Sequence, residues 1–219
     1  MSDLDLLVHR VRPAKTEHPA GALVLLHGRG ANEQDLFPLI DVFDPAGRLT
    51  GVTPRAPLEL TPGGYRWYVS GDIPHPDPET FLETYDLLGR WLAALARDLS
   101  INFSEVLIGG FSQGAVMSYA VTLGRDRPRP AGLMAFSGFI PKVDGFEFAL
   151  DQAQGFPVAM GHGTMDTVIG AEWGRQAKML LAGAGAEVLY DEAPMAHGID
   201  PSFAAGLSNW VSKVIPDSA

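Results

Sequence analysis

Short apolar runs alternate along the chain with longer stretches that have helical periodicity. Several of the runs are apolar at nearly every position, as in strands that are buried on both faces of a sheet. These runs cover residues 21–28, 104–110, 131–138, 157–163 and 186–193. Residues 49–57, closed by prolines, form a weaker strand candidate, and residues 4–13 are expected to form an edge strand at the N-terminus.

Helices are predicted between these runs. One face over 79–99 carries the apolar residues Phe81, Tyr85, Leu88, Leu92, Leu95 and Leu99, at alternating steps of three and four. Further helices are predicted over 112–124, over 171–185, which ends in glycines suited to a C-cap, and over 200–215, where Asp200 is the N-cap candidate. Strands separated by helices need crossover connections, which predicts an α/β fold with a mostly parallel sheet covered by helices on both faces. We expect one domain over residues 1–219, because no repeat or low-complexity linker interrupts the pattern.

The composition excludes several classes of function. A formal net charge of −10 argues against a nucleic-acid backbone or an anionic membrane as the main partner. The chain has no cysteine, which excludes disulfides, cysteine metal ligands and a cysteine nucleophile. Its start is acidic and no apolar stretch approaches the roughly 18 residues of a membrane span, so we expect neither a signal peptide nor membrane insertion. A cytoplasmic location is the default expectation.

The stretch "IGGFSQGAV" (108–116) places Ser112 between Gly110 and Gly114, after a predicted strand and before a predicted helix. A sharp strand-to-helix turn of the G-x-S-x-G type exposes the serine hydroxyl at the edge of the sheet. Glycine is needed two residues before and after the serine because side chains there would collide. The alternative is that Ser112 only caps the helix, but the strand and helix on either side favour a nucleophile.

A nucleophilic serine needs a histidine base and a carboxylate that orients the histidine, and on this kind of sheet the expected chain order is serine, acid, histidine. Of the two histidines that follow Ser112, His197 lies between the last strand and the last helix and is the predicted base. His162 precedes the acid and is expected to pack around that loop. Asp166, which follows the strand 157–163, is the predicted acid.

Two other acidic residues compete with Asp166. Asp191 and Glu192 end the last predicted strand and are close to His197 in the chain. Asp166 is preferred because its loop leaves the carboxylate free to reach across, although aspartate is also common as a turn-forming residue.

Attack on a carbonyl creates an oxyanion, which two backbone N–H groups should stabilise. The predicted donors are Gln113, directly after the nucleophile, and Arg29, in the glycine-rich loop "HGRGANEQDL". In the same loop, His27 is expected to be structural, and Glu33 and Asp35 are expected to favour the start of the next helix electrostatically. The loop lacks the patterns of nucleotide-binding loops, and we expect neither cofactor nor metal.

The segment 60–78 is the one long irregular stretch, and a loop of this length is usually functional. Its aromatic residues Tyr65, Trp67 and Tyr68 either line an apolar substrate pocket or pack the loop onto the domain. Trp67 is the first choice for a substrate contact. Exposed apolar residues around the loop could equally serve a homodimer contact, and the sequence leaves this open.

These residues together resemble the phospholipase/carboxylesterase family of α/β-hydrolases, which includes acyl-protein thioesterases and bacterial broad-specificity esterases. The matching stretches are "VLLHGRGANEQDLFPL", "PRAP", "RWY", "GGFSQGAVMSYAV", "FSGFIP", "GHGTMDTVI" and "AHGI". The resemblance implies the α/β-hydrolase fold, Ser112 as nucleophile, Asp166 as acid and His197 as base. It also implies Arg29 and Gln113 at the oxyanion hole and Trp67 near the substrate pocket.

Two departures indicate the bacterial esterase subgroup. Val69 follows "RWY" where many thioesterase-like members have Trp-Phe-Asp, and Arg29 stands where that subgroup commonly has an apolar residue. We therefore expect a cofactor-free serine carboxylesterase for small or short-acyl esters, with thioesters or lysophospholipids as further substrates. The alternatives are a slow ligand-binding sensor on the same scaffold and an acyltransferase that uses the same three residues.

Overall fold

A seven-stranded sheet organises the chain, which we describe over residues 3–217 from a computed structural model. The strands are β1 (His9–Arg12), β2 (Gly21–Leu26), β3 (Leu49–Pro54), β4 (Leu58–Glu59), β5 (Tyr65–Arg66), β6 (Val106–Phe111), β7 (Gly132–Phe136), β8 (Pro157–Gly163) and β9 (Glu187–Ala193). The helices are α1 (Leu39–Phe43), α2 (Pro78–Asp98), α3 (Gln113–Leu123), α4 (Ala171–Gly183) and α5 (Pro201–Val214). Short 3-10 turns cover Asp3–Leu6, Phe103–Glu105 and Leu150–Gln152.

The strand order is β1-β3-β2-β6-β7-β8-β9, and all neighbouring pairs are parallel except β1 and β3. The strand β4 forms a separate antiparallel hairpin with β5. Every residue of β2 and β7 is buried, as the continuous apolar runs predict for central strands of a covered sheet. The predicted α/β fold with a mostly parallel sheet is confirmed.

Helices cover both faces of this sheet, and the side chains of each strand alternate between them. Ala22, Val24 and Leu26 of β2 pack in one core cluster with α2 and α3. Leu23 and Leu25 of the same strand pack in a second cluster with α1 and α5. Helix α4 packs with α3 against β7 and β8 in a third cluster. This alternation shows why strands covered on both faces are apolar at every position.

The structure differs from the sequence prediction in a few places. The predicted strand over 4–13 contains a 3-10 turn before the short edge strand β1. The weak candidate 49–57 forms β3, whose residues are all buried. Helix α1 was not predicted because it has only five residues, too few to show a period. Asp200 does cap α5, since its Oδ2 accepts from Phe203 N–H at 2.7 Å. One domain over residues 1–219 stays a prediction, and residues 1–2 and 218–219 lie outside the described range.

Parallel strands bring their carboxyl ends to one edge of the sheet, which is where open α/β sheets bind ligands. The loop after β2 carries Arg29, and Ser112 directly follows β6. Asp166 follows β8 and His197 follows β9. Residues that are far apart in the chain are therefore brought to the same edge.

Candidate active site

Ser112 is the single residue between β6 and α3, and its backbone is strained. It has φ 54° and ψ −120°, a conformation that residues other than glycine seldom adopt. The turn is also crowded. A Cβ on Gly110 would lie 2.4 Å from the carbonyl carbon and oxygen of Gly114, and a Cβ on Gly114 would lie 1.9 Å from the carbonyl oxygen of Leu26. Both glycines are therefore required by close backbone approach.

The Ser112 hydroxyl does not cap α3, although the residue occupies the N-cap position. Its Oγ atom lies 2.9 Å from Nε2 of His197. The Ser112 N–H donates to the carbonyl of Phe136, which fixes the turn against β7. The hydroxyl is thus turned away from the helix and toward an imidazole.

The imidazole of His197 is held on its other side by Asp166. The distance from Nδ1 of His197 to Oδ2 of Asp166 is 2.6 Å. A carboxylate only accepts hydrogen bonds, so Nδ1 carries the proton and Nε2 is left free to accept from the Ser112 hydroxyl. The ring of Phe111 packs against the imidazole with ring centroids 4.7 Å apart. Orientation and tautomer of His197 are therefore both set by its neighbours.

Asp166 is built to stay ionised although its side chain is fully buried. Its Oδ1 accepts from the N–H groups of Val168 at 2.8 Å and Ile169 at 2.9 Å. Burial alone would raise the pKa of the carboxyl, but the hydrogen bonds from His197, Ile169 and Val168 outweigh burial and lower it. Asp166 therefore has both roles: its Oδ1 holds the turn, and its Oδ2 holds His197.

The competing acidic residues are engaged elsewhere. Glu192 holds Arg175 through two contacts of 2.7 Å and accepts from the Tyr190 hydroxyl at 2.8 Å. Asp191 is exposed on the edge strand β9.

His162 lies beside Asp166 as expected, with Nε2 2.8 Å from the carbonyl of Ile169. It supports the Asp166 loop rather than Ser112.

Sequence reasoning missed Ser137, which supports the loop of His197. Ser137 is fully buried, has φ 49°, and follows β7 at the same sheet edge. Its Oγ donates to the carbonyl of Gly198 at 2.8 Å, one residue after His197. The stretch "FSG" at the carboxyl end of a buried strand was the available signal, since open α/β sheets bind ligands at that edge.

One predicted oxyanion donor, Gln113, directly follows Ser112, and the other, Arg29, lies in the loop after β2. Gln113 is the first residue of α3, where no preceding turn supplies an acceptor for its N–H. In the other loop, Gly30 N–H donates to Tyr65 O and Ala31 N–H donates to Gly28 O. Among residues 3–217 no backbone carbonyl accepts from the N–H of Arg29, so this group is available to a ligand.

The loop that carries Arg29 is braced by a neutral histidine and a tryptophan. His27 is buried; Ala56 N–H donates to its Nε2 at 3.0 Å, and its Nδ1 therefore donates to the Gly28 carbonyl at 2.7 Å. Burial lowers the pKa of His27 and keeps it neutral. The indole N–H of Trp67 donates to the His27 carbonyl at 2.7 Å. The structural role expected for His27 matches these contacts.

The Gln113 side chain ties the 60–78 segment to the serine turn. Its Oε1 accepts from Trp67 N–H at 3.1 Å, and its Nε2 donates to Tyr68 O and to Ser70 Oγ, both at 3.1 Å. Gln113 thus has a side-chain role beyond the backbone N–H that the sequence suggested.

Glu33 does not lie at the start of a helix, which corrects the expectation from the sequence. It is buried, and its carboxylate binds Arg55 through contacts of 2.6 and 2.7 Å. The hydrogen bond from Arg55 lowers the pKa of Glu33. Arg55 also donates to the Tyr65 hydroxyl at 3.2 Å. The expectation failed because the partner lies 22 residues away in the chain.

A cavity of about 430 Å³ opens directly over the serine. Its lining comprises Arg29, Tyr68, Ser70, Gly71, Ile73, Pro76, Ser112, Gln113, Phe139, Val168, Ile169 and His197. Of the three aromatic candidates, only Tyr68 lines it. Trp67 is fully buried behind the wall and Tyr65 pairs with the Arg29 loop, so the packing alternative describes these two residues.

The sequence pattern of one known family extends over nearly the whole chain. The model of the phospholipase/carboxylesterase family matches residues 9–215. The chain belongs to the phospholipase/carboxylesterase family. As a member of this family the protein is a hydrolase of the esterase and thioesterase class.

Relatives and solved structures of this phospholipase/carboxylesterase family member agree with that assignment. Acyl-protein thioesterase 1 of Debaryomyces hansenii is 27% identical over 95% of this chain and 98% of the relative. Lysophospholipase-like protein 1 of Mus musculus is 26% identical over 92% of this chain and 90% of the relative. The Bacillus cereus carboxylesterase structure has a TM-score of 0.83 at 20% identity, covering 98% of this chain and 100% of that one. The predicted α/β-hydrolase fold is confirmed.

Two further properties concern the described part of this family member. Within residues 3–217 no helix has both the length and the apolar character needed to cross a membrane. Over the same residues, no group of three or more His, Asp or Glu side chains is placed to hold a metal ion.

Proposed function

We propose that the protein is a serine carboxylesterase that hydrolyses small or short-acyl carboxylic esters through an acyl-enzyme on Ser112. The observation that carries this proposal is the continuous hydrogen-bonded chain from Asp166 through His197 to Ser112, with distances of 2.6 and 2.9 Å. Ser112 and His197 line the cavity, so a bound ester would lie against the serine oxygen.

In the first step, Ser112 Oγ attacks the ester carbonyl while its proton passes to Nε2 of His197. The imidazolium that forms is stabilised by the ionised Asp166. The negative charge on the carbonyl oxygen is held by the N–H groups of Arg29 and Gln113, two residues that line the cavity with Ser112. Removal of one such donor typically costs about a hundredfold to a thousandfold in kcat.

In the second step, His197 returns the proton to the leaving alcohol, and the acyl group stays on Ser112. Water enters, loses a proton to Nε2 of His197 and attacks the acyl carbon. Collapse of the second oxyanion releases the acid and restores the serine hydroxyl. The side chain of His197 is 18% exposed, which leaves water a route to it.

The size and lining of the cavity support small acyl groups. At about 430 Å³ it lies toward the lower end of the roughly 300–1,000 Å³ common for ligand pockets. Ile73, Phe139, Val168 and Ile169 offer apolar contacts, and burial raises the pKa of Tyr68 and keeps its hydroxyl neutral.

Hydrolysis of p-nitrophenyl esters of increasing acyl length by the wild type and Ser112→Ala tests the proposal. We expect rapid turnover of short acyl chains and background rates in the variant, with unchanged folding by circular dichroism. Equal rates in the two proteins would refute the role of Ser112. A stoichiometric burst without turnover would favour the sensor, and preferred transfer to an added alcohol would favour the acyltransferase.

A further inference from the structure

Arg29 is the one residue with a permanent charge in the lining of the cavity, among the residues that the structure describes. Its neighbours in the lining are neutral polar, aromatic or aliphatic, apart from His197. The lining contains no aspartate, glutamate or lysine. Arg29 is exposed and lines the cavity.

Within residues 3–217, Arg29 lacks the carboxylate partner that several other arginines have. Arg55, Arg127 and Arg175 each have a carboxylate within 2.8 Å. Within residues 3–217, no carboxylate of the chain lies within ion-pair distance of the Arg29 guanidinium. A guanidinium presents a planar fork of donors that matches a carboxylate or phosphate, and Arg29 lines the cavity that contains Ser112.

We propose that the Arg29 side chain binds an anionic group of the substrate, so that the preferred esters carry a carboxylate or a similar anion close to the scissile carbonyl. This inference rests on the proposed esterase function and specifies its substrate class. The backbone N–H of Arg29 is the proposed oxyanion donor, and the side chain of the same residue therefore starts beside the reacting carbonyl. Suitable substrates are monoesters of dicarboxylic acids, or esters whose alcohol carries the acid.

The overall charge of the protein disfavours the approach of anionic substrates, so a local cation assists their binding. At a formal net charge of −10 the molecule as a whole repels anions. A positive group in the lining of the cavity offsets this repulsion where the substrate binds.

The test compares matched anionic and neutral esters in the wild type, Arg29→Met, Arg29→Lys and Arg97→Met. Arg97 is an exposed arginine of α2 outside the cavity lining, so its replacement gives the same change in net charge. In the first pair, monomethyl glutarate is compared with methyl valerate, so the anion is in the acyl group. Hydrolysis of both esters is followed by pH-stat. The compound 4-acetoxybenzoate against its methyl ester places the anion in the leaving group.

The measured quantity is the ratio of kcat/KM for the anionic ester to that for the neutral ester, which cancels any change in the oxyanion hole. We expect Arg29→Met to lower this ratio about tenfold in at least one pair, as for loss of a charge-assisted hydrogen bond. Arg29→Lys should keep part of the preference, and Arg97→Met should keep all of it. The substrate pair whose ratio falls in Arg29→Met shows whether Arg29 contacts the acyl group or the leaving group of the ester.

A second measurement does not depend on turnover of a charged ester, because it follows inhibition of the hydrolysis of a neutral ester. Free glutarate should inhibit the wild type competitively and should lose about tenfold in affinity in Arg29→Met. Ratios within twofold of each other in the wild type and Arg29→Met for both pairs would overturn the inference. That result would leave the esterase proposal intact, because the esterase proposal is tested by the Ser112→Ala rates and not by discrimination between charged and neutral esters.

Discussion

The carboxylate of Asp166 lies 2.6 Å from the imidazole of His197, although 31 positions separate the two residues in the chain. The same carboxylate accepts two backbone N–H groups from its own loop through its other oxygen. One oxygen therefore fixes the loop, and the other orients the histidine. This division of roles distinguishes Asp166 from the acidic residues near His197 in sequence.

Replacing Asp166 and Asp191 in turn should show which of the two carboxylates orients His197. We expect Asp166→Asn to lower kcat by about a thousandfold or more, because an amide can donate to Nδ1 and stabilise the wrong tautomer. Asp191→Asn, at an exposed position on β9, should keep wild-type kinetics. Steady-state rates on a short-acyl ester decide this, and loss of activity only in the Asp191 variant would show that the assignment is mistaken.

Ser137→Ala should loosen the loop that carries His197, although Ser137 is not part of the cavity lining. The variant removes the hydrogen bond to the Gly198 carbonyl, and we expect kcat to fall about tenfold with little change in KM, as for loss of one buried hydrogen bond. Ser118→Ala is the matched control, since Ser118 is equally buried but donates within α3. Equal kcat values for the two variants would argue against a positioning role.

Gly114→Ala should disrupt the serine turn by close contact with backbone. The new Cβ would lie 1.9 Å from the Leu26 carbonyl oxygen, so we expect a loss of at least about 2 kcal/mol in unfolding free energy. Gly206→Ala, in α5 with open space around it, should instead stabilise the protein by about 0.5–1 kcal/mol. Urea unfolding of both variants checks this, and a neutral Gly114→Ala would contradict the crowding argument.

Glu33→Gln should destabilise the loop that carries Arg29, by about 2 kcal/mol at pH 7. The pKa of Glu33 is lowered in the folded state by Arg55, so its contribution is fully present above the unfolded glutamate pKa of about 4.3. The contribution is lost as pH falls through the lowered folded pKa. Unfolding free energies of the wild type and variant should therefore converge below about pH 4, and a constant difference would contradict the ion pair as the cause.

The parts of the site that the sequence predicted depend on local rules. A glycine-flanked serine between a buried strand and a helix specifies its own turn. The carboxyl ends of parallel strands then bring Asp166 and His197 to the same edge. Each of these inferences uses only neighbouring residues and the direction of the strands.

The parts that were missed depend on contacts across the fold. The sequence around Trp67 does not show whether its side chain lines the cavity or is buried behind the lining, because both environments are apolar. Glu33 was assigned by a local electrostatic rule, whereas its partner Arg55 comes from the loop after β3. Ser137 was passed over because the bond from its hydroxyl reaches Gly198, 61 positions away.

The acyl-enzyme on Ser112 is tested most directly by the mass of the protein after rapid acid quenching during turnover of a p-nitrophenyl ester. We expect a species heavier by one acyl group, with the addition on the peptide that contains Ser112 and absent in Ser112→Ala. Turnover with no acylated species in the wild type, or an acyl group on any residue other than Ser112, would contradict it.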